Sequence, residues 1–293
     1  MQIESLKVFC DLVATESFTK AAQVNGVTRS AVSQTVSAME RHFKSLLVER
    51  SKKHFQLTPE GKALHERAKS IVGQFESIHH QMEAIKGIVA GNLHVSAIYS
   101  IGLHVLPPYL KKFLKVCPTV RVDVQYRQAR QIYGNVLGNE ADLGLVAYPT
   151  KDMGLEAVPL RKDPMVLICH PKHPFAKLRS VKLKALEGQK LVSFDPEIPT
   201  RKALDKLFRQ QGVSVKHALE FDNVETVKRA VEIDAGVALV PLVTVTEEVA
   251  KRTLVAVKIE GREVSRPLAL IYKKNKVLSP AMKEFIAVLK GSL

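Results

Sequence analysis

Residues 17–53 read SFTKAAQVNGVTRSAVSQTVSAMERHFKSLLVERSKK, and the spacing inside this stretch decides the front of the chain. Apolar residues fall at Val32, Val36, Met39 and Phe43, steps of four, three and four that draw one stripe along a helix. At about 100° per residue, the opposite side carries Ser30, Gln34, Ser37 and Arg41. Thr28 stands where a hydroxyl caps such a helix by accepting a first-turn N–H. The outer face is short, polar and suited to a major groove, where Gln reads adenine, Arg guanine and Ser most base edges. An ordinary surface helix carries the same stripe, so the flanking residues must choose.

They favour a DNA reader. Upstream, Ile3, Leu6, Phe9, Cys10 and Val13 form one face of a first helix. Ser17 then caps a second helix through Phe18-Thr19-Lys20-Ala21-Ala22, whose alanines allow close packing, and Asn25-Gly26 makes the turn. Two helices about a short Gly-containing turn are a helix-turn-helix. Downstream, residues 48–57 read as two short strands round a basic tip, a wing. Arg50, Lys52 and Lys53 on that wing suit phosphate contacts, which add affinity without sequence information. Arg29, Ser30, Ser33, Gln34 and Ser37 are the candidates for base edges, with Thr28 at the helix entrance.

With SFTKAA, AVSQTVSAMERHF and LVER…LTPEGKAL present in that order, the chain resembles the LysR-type transcriptional regulators over its whole length. One departure stands out: where relatives commonly carry Gln-Pro before Ala-Val-Ser, this chain has Arg29 and Ser30, so its operator half-site is expected to differ. The resemblance implies an α plus α/β protein: a winged helix-turn-helix over 1–58, a long linker helix over 59–91, and an effector domain over 92–293. That last part is expected to be two-lobed and α/β, like a periplasmic binding protein. Homodimers, often paired into tetramers, on double-stranded promoter DNA are implied too, with RNA polymerase as partner where such proteins activate.

The linker can be read on its own. Thr58-Pro59-Glu60 begins it with a capping hydroxyl, a proline in the first turn and an acid near the positive end of the dipole. Leu64, Ala68, Ile71, Phe75, Ile78, Met82, Ile85 and Val89 then alternate steps of four and three, a heptad seam. A rod that long needs a partner for its seam, most simply a second copy of the chain. Packing along its own sensor domain is the alternative.

From Gly91 short apolar strands alternate with helices, the texture of parallel sheets covered on both faces. We read one lobe over 92–162 and 267–293 and another over 163–266. Two crossings, near Leu160–Pro164 and Arg266-Pro267, make a hinge. Ligands of such folds lie beyond strand carboxyl ends, where helices begin. Three junctions qualify: Tyr99-Ser100-Ile101, Pro199-Thr200-Arg201 and Asn223-Val224, with Tyr148 on the cleft wall. Ser100 and Thr200 also match positions where relatives contact their effectors. Each hydroxyl could equally be a plain helix cap, and Arg201 a countercharge to an anionic effector.

Composition narrows the rest. The formal net charge is +15, but residues 1–90 hold 12 Lys and Arg against 9 Asp and Glu, and residues 91–293 hold 32 against 20. The excess therefore lies mainly outside the helix-turn-helix, as a solvated surface or an attraction for polyanions or an anionic ligand. No stretch is long enough to cross a bilayer and the N-terminus has no secretory pattern, so a cytoplasmic protein is expected. Cys10, Cys117 and Cys169 have no motif spacing, and Cys169-His170-Pro171-Lys172-His173 lacks a matching ligand cluster. No metal or cofactor is expected beyond a small effector. Neither GxxxxGK[ST] nor G-x-S-x-G occurs, which argues against an enzyme. A ligand carrier whose DNA domain has lost its use is the competing class.

Overall fold

The computed structural model describes residues 2–50, 55–85, 89–261 and 264–291. The chain forms two compact units, Met1–Val89 and Ala90–Leu293.

The first unit contains α1 (Ile3–Thr15), α2 (Phe18–Val24), α3 (Arg29–Phe43), β1 (Val48–Arg50), β2 (Phe55–Leu57) and α4 (Pro59–Ile85). Ser17 Oγ accepts from Lys20 N at 3.3 Å and Thr28 Oγ1 from Ala31 N at 3.2 Å, so both inner helices are capped as their sequences require. Between them the Asn25 amide donates to Asp11 Oδ2 and Ala21 O, each at 2.9 Å, tying the turn back to α1. Gly26 takes φ +62°, a left-handed conformation that a side chain would strain. Phe9, Leu12, Ala21, Val32 and Val36 close the core with no exposed surface. Phe43 leaves the stripe and is 40% exposed, because α3 ends there and left-handed Lys44 turns the chain away.

Glu40 Oε1 accepts from Leu47 N at 3.0 Å and Val48 N at 3.4 Å, which fixes where the wing departs from α3. β1 and β2 pair antiparallel, Val48 opposite Leu57. Lys52 and Lys53 lie outside the described residues, as do the side chains of Arg50 and Ile85. Thr58 Oγ1 caps α4 by accepting from Gly61 N at 2.9 Å and donates to Leu46 O at 2.6 Å. Its 27 residues make a rod about 40 Å long at ~1.5 Å per residue.

The seam of that rod divides into two stretches. Ala68 is fully buried in the core of the winged unit, and Leu64 and Val72 pack against the same core. Leu64 and Ala68 thus serve the core of the reading head, which the first turns of α4 complete. The exposed seam starts at Ile71 and continues through Phe75, Ile78 and Met82.

The second unit runs β3 (Gly91–Ala97), α5 (Tyr99–His104), α6 (Leu106–Val116), β4 (Val120–Tyr126), α7 (Ala129–Leu137), β5 (Leu143–Ala147) and β6 (Leu155–Cys169). It continues with β7 (Ser180–Val181), β8 (Lys190–Phe194), α8 (Pro199–Gln210), β9 (Lys216–Phe221), α9 (Val224–Glu232) and β10 (Ala238–Pro241). Finally come α10 (Thr246–Lys251), β11 (Val255–Ile259), β12 (Ser265–Lys273) and α11 (Pro280–Lys290). The main sheet has the order β4-β3-β5-β12-β6-β11-β7, with β10 also on β6, and β8-β9 form a small sheet of their own.

The sheets are mixed rather than purely parallel. β3 pairs parallel with β4 and β5, the strands reached through helices. β12 is antiparallel to both β5 and β6. The reason is the hinge: β6 carries the chain out of the first lobe and β12 brings it back, so the two crossings must run in opposite senses. The helical stretch after β3 is split into α5 and α6, since Pro107 and Pro108 lack the N–H groups that a continuous helix would need. Among the described residues no helix is long and apolar enough to cross a membrane.

Candidate DNA-reading face and effector cleft

On α3 the structure leaves Thr28, Arg29, Ser30, Gln34 and Arg41 exposed, and Ser33 and Ser37 half-buried beside them. The opposite stripe is spent on the core, so this row is the face α3 presents outward. Thr28 Oγ1 lies 2.9 Å from Ser30 Oγ, which holds the first residues of the row in register.

In the second unit the predicted cleft residues separate into different jobs. The N-cap of α5 is Ile98 and that of α8 is Ile198, and neither forms a side-chain cap. Ser100 and Thr200 are thus not caps: both sit inside the first turn and are buried at 7% and 4% exposure. Ser100 Oγ instead accepts from Arg266 Nη1 at 2.9 Å, reaching across to β12. Tyr99 stays 40% exposed and packs on Tyr126 at 5.7 Å between centroids, while Ile101 is core. Tyr148 is half-buried at the end of β5 with φ +50°, and burial pushes its phenol up against the opposing pull of Arg266.

Three of these residues have other work within the fold. Arg201 is no free countercharge: its Nε donates to both Asp205 oxygens at 2.9 Å, and Nη1 to Phe194 O at 2.7 Å and Glu220 Oε1 at 2.8 Å. Asn223 caps α9, accepting from Thr226 N at 3.1 Å, and so spends its carbonyl locally. Val224 is 2% exposed within the core of the second lobe. A residue that opens a helix must serve the helix first, and these two do.

Sequence reasoning missed the polar groups that join the lobes. Arg266 Nη2 meets Asp163 Oδ2 at 2.9 Å, each on one of the crossing strands. His104 Nε2 on α5 lies 2.7 Å from Glu225 Oε1 on α9. Glu225 also pairs with Lys228 at 2.9 Å. The only signal for Arg266 was its place beside Pro267 at an expected crossing. Cys117 and Cys169 are free thiols, and burial pushes the Cys169 thiol up to about 11 with Asp234 adding to it, which opposes thiolate chemistry.

Two family profiles match this chain: "Bacterial regulatory helix-turn-helix protein, lysR family" over residues 3–62 and "LysR substrate binding domain" over residues 86–293. The transcriptional regulator CysL of Bacillus subtilis is 27% identical over 292 residues, covering 100% of this chain and 98% of that protein. A full-length OxyR variant from Pseudomonas aeruginosa superposes with a TM-score of 0.80 at 22% identity, over 99% of this chain and 93% of that one. The regulatory domain of CcmR from Synechocystis, solved in complex with 2-PG, gives 0.63 at 25% identity over 68% of this chain and 96% of that one. With one profile on the reading head and the other on more than half of its length, the chain belongs to the LysR family and is a DNA-binding transcriptional regulator with an effector-binding domain.

Proposed function

We propose that the protein is a homodimer, able to pair into a tetramer, that reads two-fold-related half-sites in promoter DNA and answers to a small anionic effector held between its lobes. The observation that carries the DNA half is the capped, outward face of α3: Arg29, Ser30 and Gln34 are exposed opposite the buried Val32, Val36 and Met39. Ser33 and Ser37 add near-base contacts, while Arg50, Lys52 and Lys53 supply phosphate contacts from the wing. Ile71, Ile78 and Met82 are 46%, 52% and 60% exposed along α4, and pairing with a second copy would cover them. Tyr99, Ser100, Tyr148 and Thr200 line the effector cleft in this reading; Ile101 and Arg201 support it from behind. The setting is the bacterial cytoplasm, with RNA polymerase as partner wherever the regulator activates. Because the CcmR regulatory domain was solved with 2-PG, that compound is the first to try as effector.

The test is fluorescence anisotropy on the gene's own upstream DNA against a scrambled duplex across a salt series. Specific reading predicts a preference of about 10³ or more. Replacing Gln34 by Ala should weaken the operator complex by ~1–3 kcal/mol and leave the scrambled one almost unchanged. Equal loss on both duplexes would remove Gln34 from the base contacts.

A further inference from the structure

Arg266 and Asp163 face each other in register on β12 and β6, the strands that cross between lobes. Both are almost fully buried, at 2% and 1% exposure. Arg266 Nη2 donates to Asp163 Oδ2 at 2.9 Å, and Asp163 Oδ1 accepts from Arg161 Nε at 3.0 Å. Two guanidinium groups thus share one carboxylate, which leaves a positive charge in excess at the hinge. Arg266 Nε is buried and meets no acceptor among the described residues. A charged N–H in that condition has lost its water without a partner in return, so an acceptor that reaches it gains a charge-assisted bond.

The neighbours have the same polarity. Ser100 Oγ already accepts from Arg266 Nη1 at 2.9 Å, so the hydroxyl proton remains to be given to something else. Tyr148 adds a phenol under the influence of the Arg266 charge. It is also a bulky residue at φ +50°, anchored by its N–H to Pro267 O at 2.9 Å. Strained backbone of that kind persists where the surroundings over-determine it and often marks a working site. Arg266, Ser100 and Tyr148 therefore gather donors around a buried cation, the complement of an anion.

We propose that Arg266 is the specificity-determining residue of the effector cleft, selecting with Ser100 a small carboxylate or comparable oxyanion, and that its bond to Asp163 carries occupancy to the hinge. This rests on the reading of the cleft between the lobes as the effector site. An anion engaging Ser100 and Arg266 Nε changes what the same guanidinium gives to Asp163, and Asp163 sits on the opposite crossing strand. Ligand and hinge then compete or cooperate for one side chain, which is the differential interaction that a population shift requires.

The experiment is calorimetric titration of the full chain with two- to four-carbon carboxylates, 2-PG, inorganic phosphate and sulfate, against the matching primary amides and alcohols. At least one anion should bind and its neutral counterpart should not. Arg266→Lys keeps the charge but lacks the planar fork, and should weaken that anion tenfold or more. Ser100→Ala, a minimal deletion, should do the same and serves if the arginine variant fails to fold. Asp163→Asn should bind the anion as well as the wild type or better, since a negative charge has gone, while the anion no longer alters the DNase footprint. The proposal is overturned if no anion of the panel binds, if amides bind equally, or if Arg266→Lys and Ser100→Ala bind like wild type. It falls equally if Asp163→Asn loses anion affinity along with them, the mark of a merely structural pair. Operator binding without added acid tests the regulator reading separately, and either result can fail alone.

Discussion

Lys228 is 1% exposed, yet its Nζ is fully engaged: Glu225 Oε2, Glu248 Oε1 and Thr244 O each lie 2.9 Å away. A buried ammonium is tolerable only with such partners, and removing it strands the carboxylates it served. Glu248 Oε2 is already buried without a partner among the described residues, so the site has little reserve. Lys228→Met should lower the stability of the effector unit by ~3–5 kcal/mol in urea unfolding, with much of the loss recovered when Glu248→Leu is added. A loss under ~1 kcal/mol, the worth of an exposed pair, would mean that the network is solvated. Neither Lys228 nor Arg266 was legible in the sequence. A charged residue defaults to the surface in any pattern reading, and Arg266 finds its carboxylate 103 residues away. Ser100 was legible because a strand end and a helix start bracket it; what it bonds to was not.

Among the elements, α4 shows how far periodicity reaches. A step of four and three marks which residues share a face, but the pattern is indifferent to what covers that face. Ala68 meets its own domain, whereas Ile78 ten residues on is 52% exposed. Ile78→Asp should therefore halve the mass seen by light scattering and leave the reading head folded. Ala68→Asp should unfold the head instead, and a dimer surviving Ile78→Asp would place the interface elsewhere. The winged unit was readable almost throughout because caps, turn and stripe agree locally. β9 was not, since its residues are mostly exposed and show no alternation. α11 was passed over although Ser279 caps it, accepting from Met282 N at 3.2 Å, and Phe285 meets Phe113 edge-on at 5.0 Å between centroids. The antiparallel return of β12 depends on a pairing between distant segments, which short-range patterns do not contain.

For the effector unit as a whole, His104 and Glu225 join one lobe to the other at 2.7 Å. Burial works to raise the Glu225 carboxyl, but hydrogen bonds and charges from Lys228 and His104 outweigh it and hold the group below its ordinary 4.5. A depressed carboxyl contributes stability that is present above the unfolded value and lost as pH falls through the folded one. Unfolding midpoints should accordingly drop below about pH 4.5, and Glu225→Gln should flatten part of that decline. Parallel curves for the two proteins would show that Glu225 is not a contributor.

β12 lies between β5 and β6 but is made long after both. During synthesis the DNA-reading unit is complete while most of the effector unit is still unmade. The first lobe then waits, with the facing edges of β5 and β6 unpaired, until residues 265–273 clear the ribosome and slide between them. Open strand edges of that kind invite pairing with other chains. A nascent chain stalled before Ser265 is thus an able DNA binder with a sticky, unfinished sensor, and premature stop codons late in the gene should yield aggregates rather than regulators that merely ignore their effector.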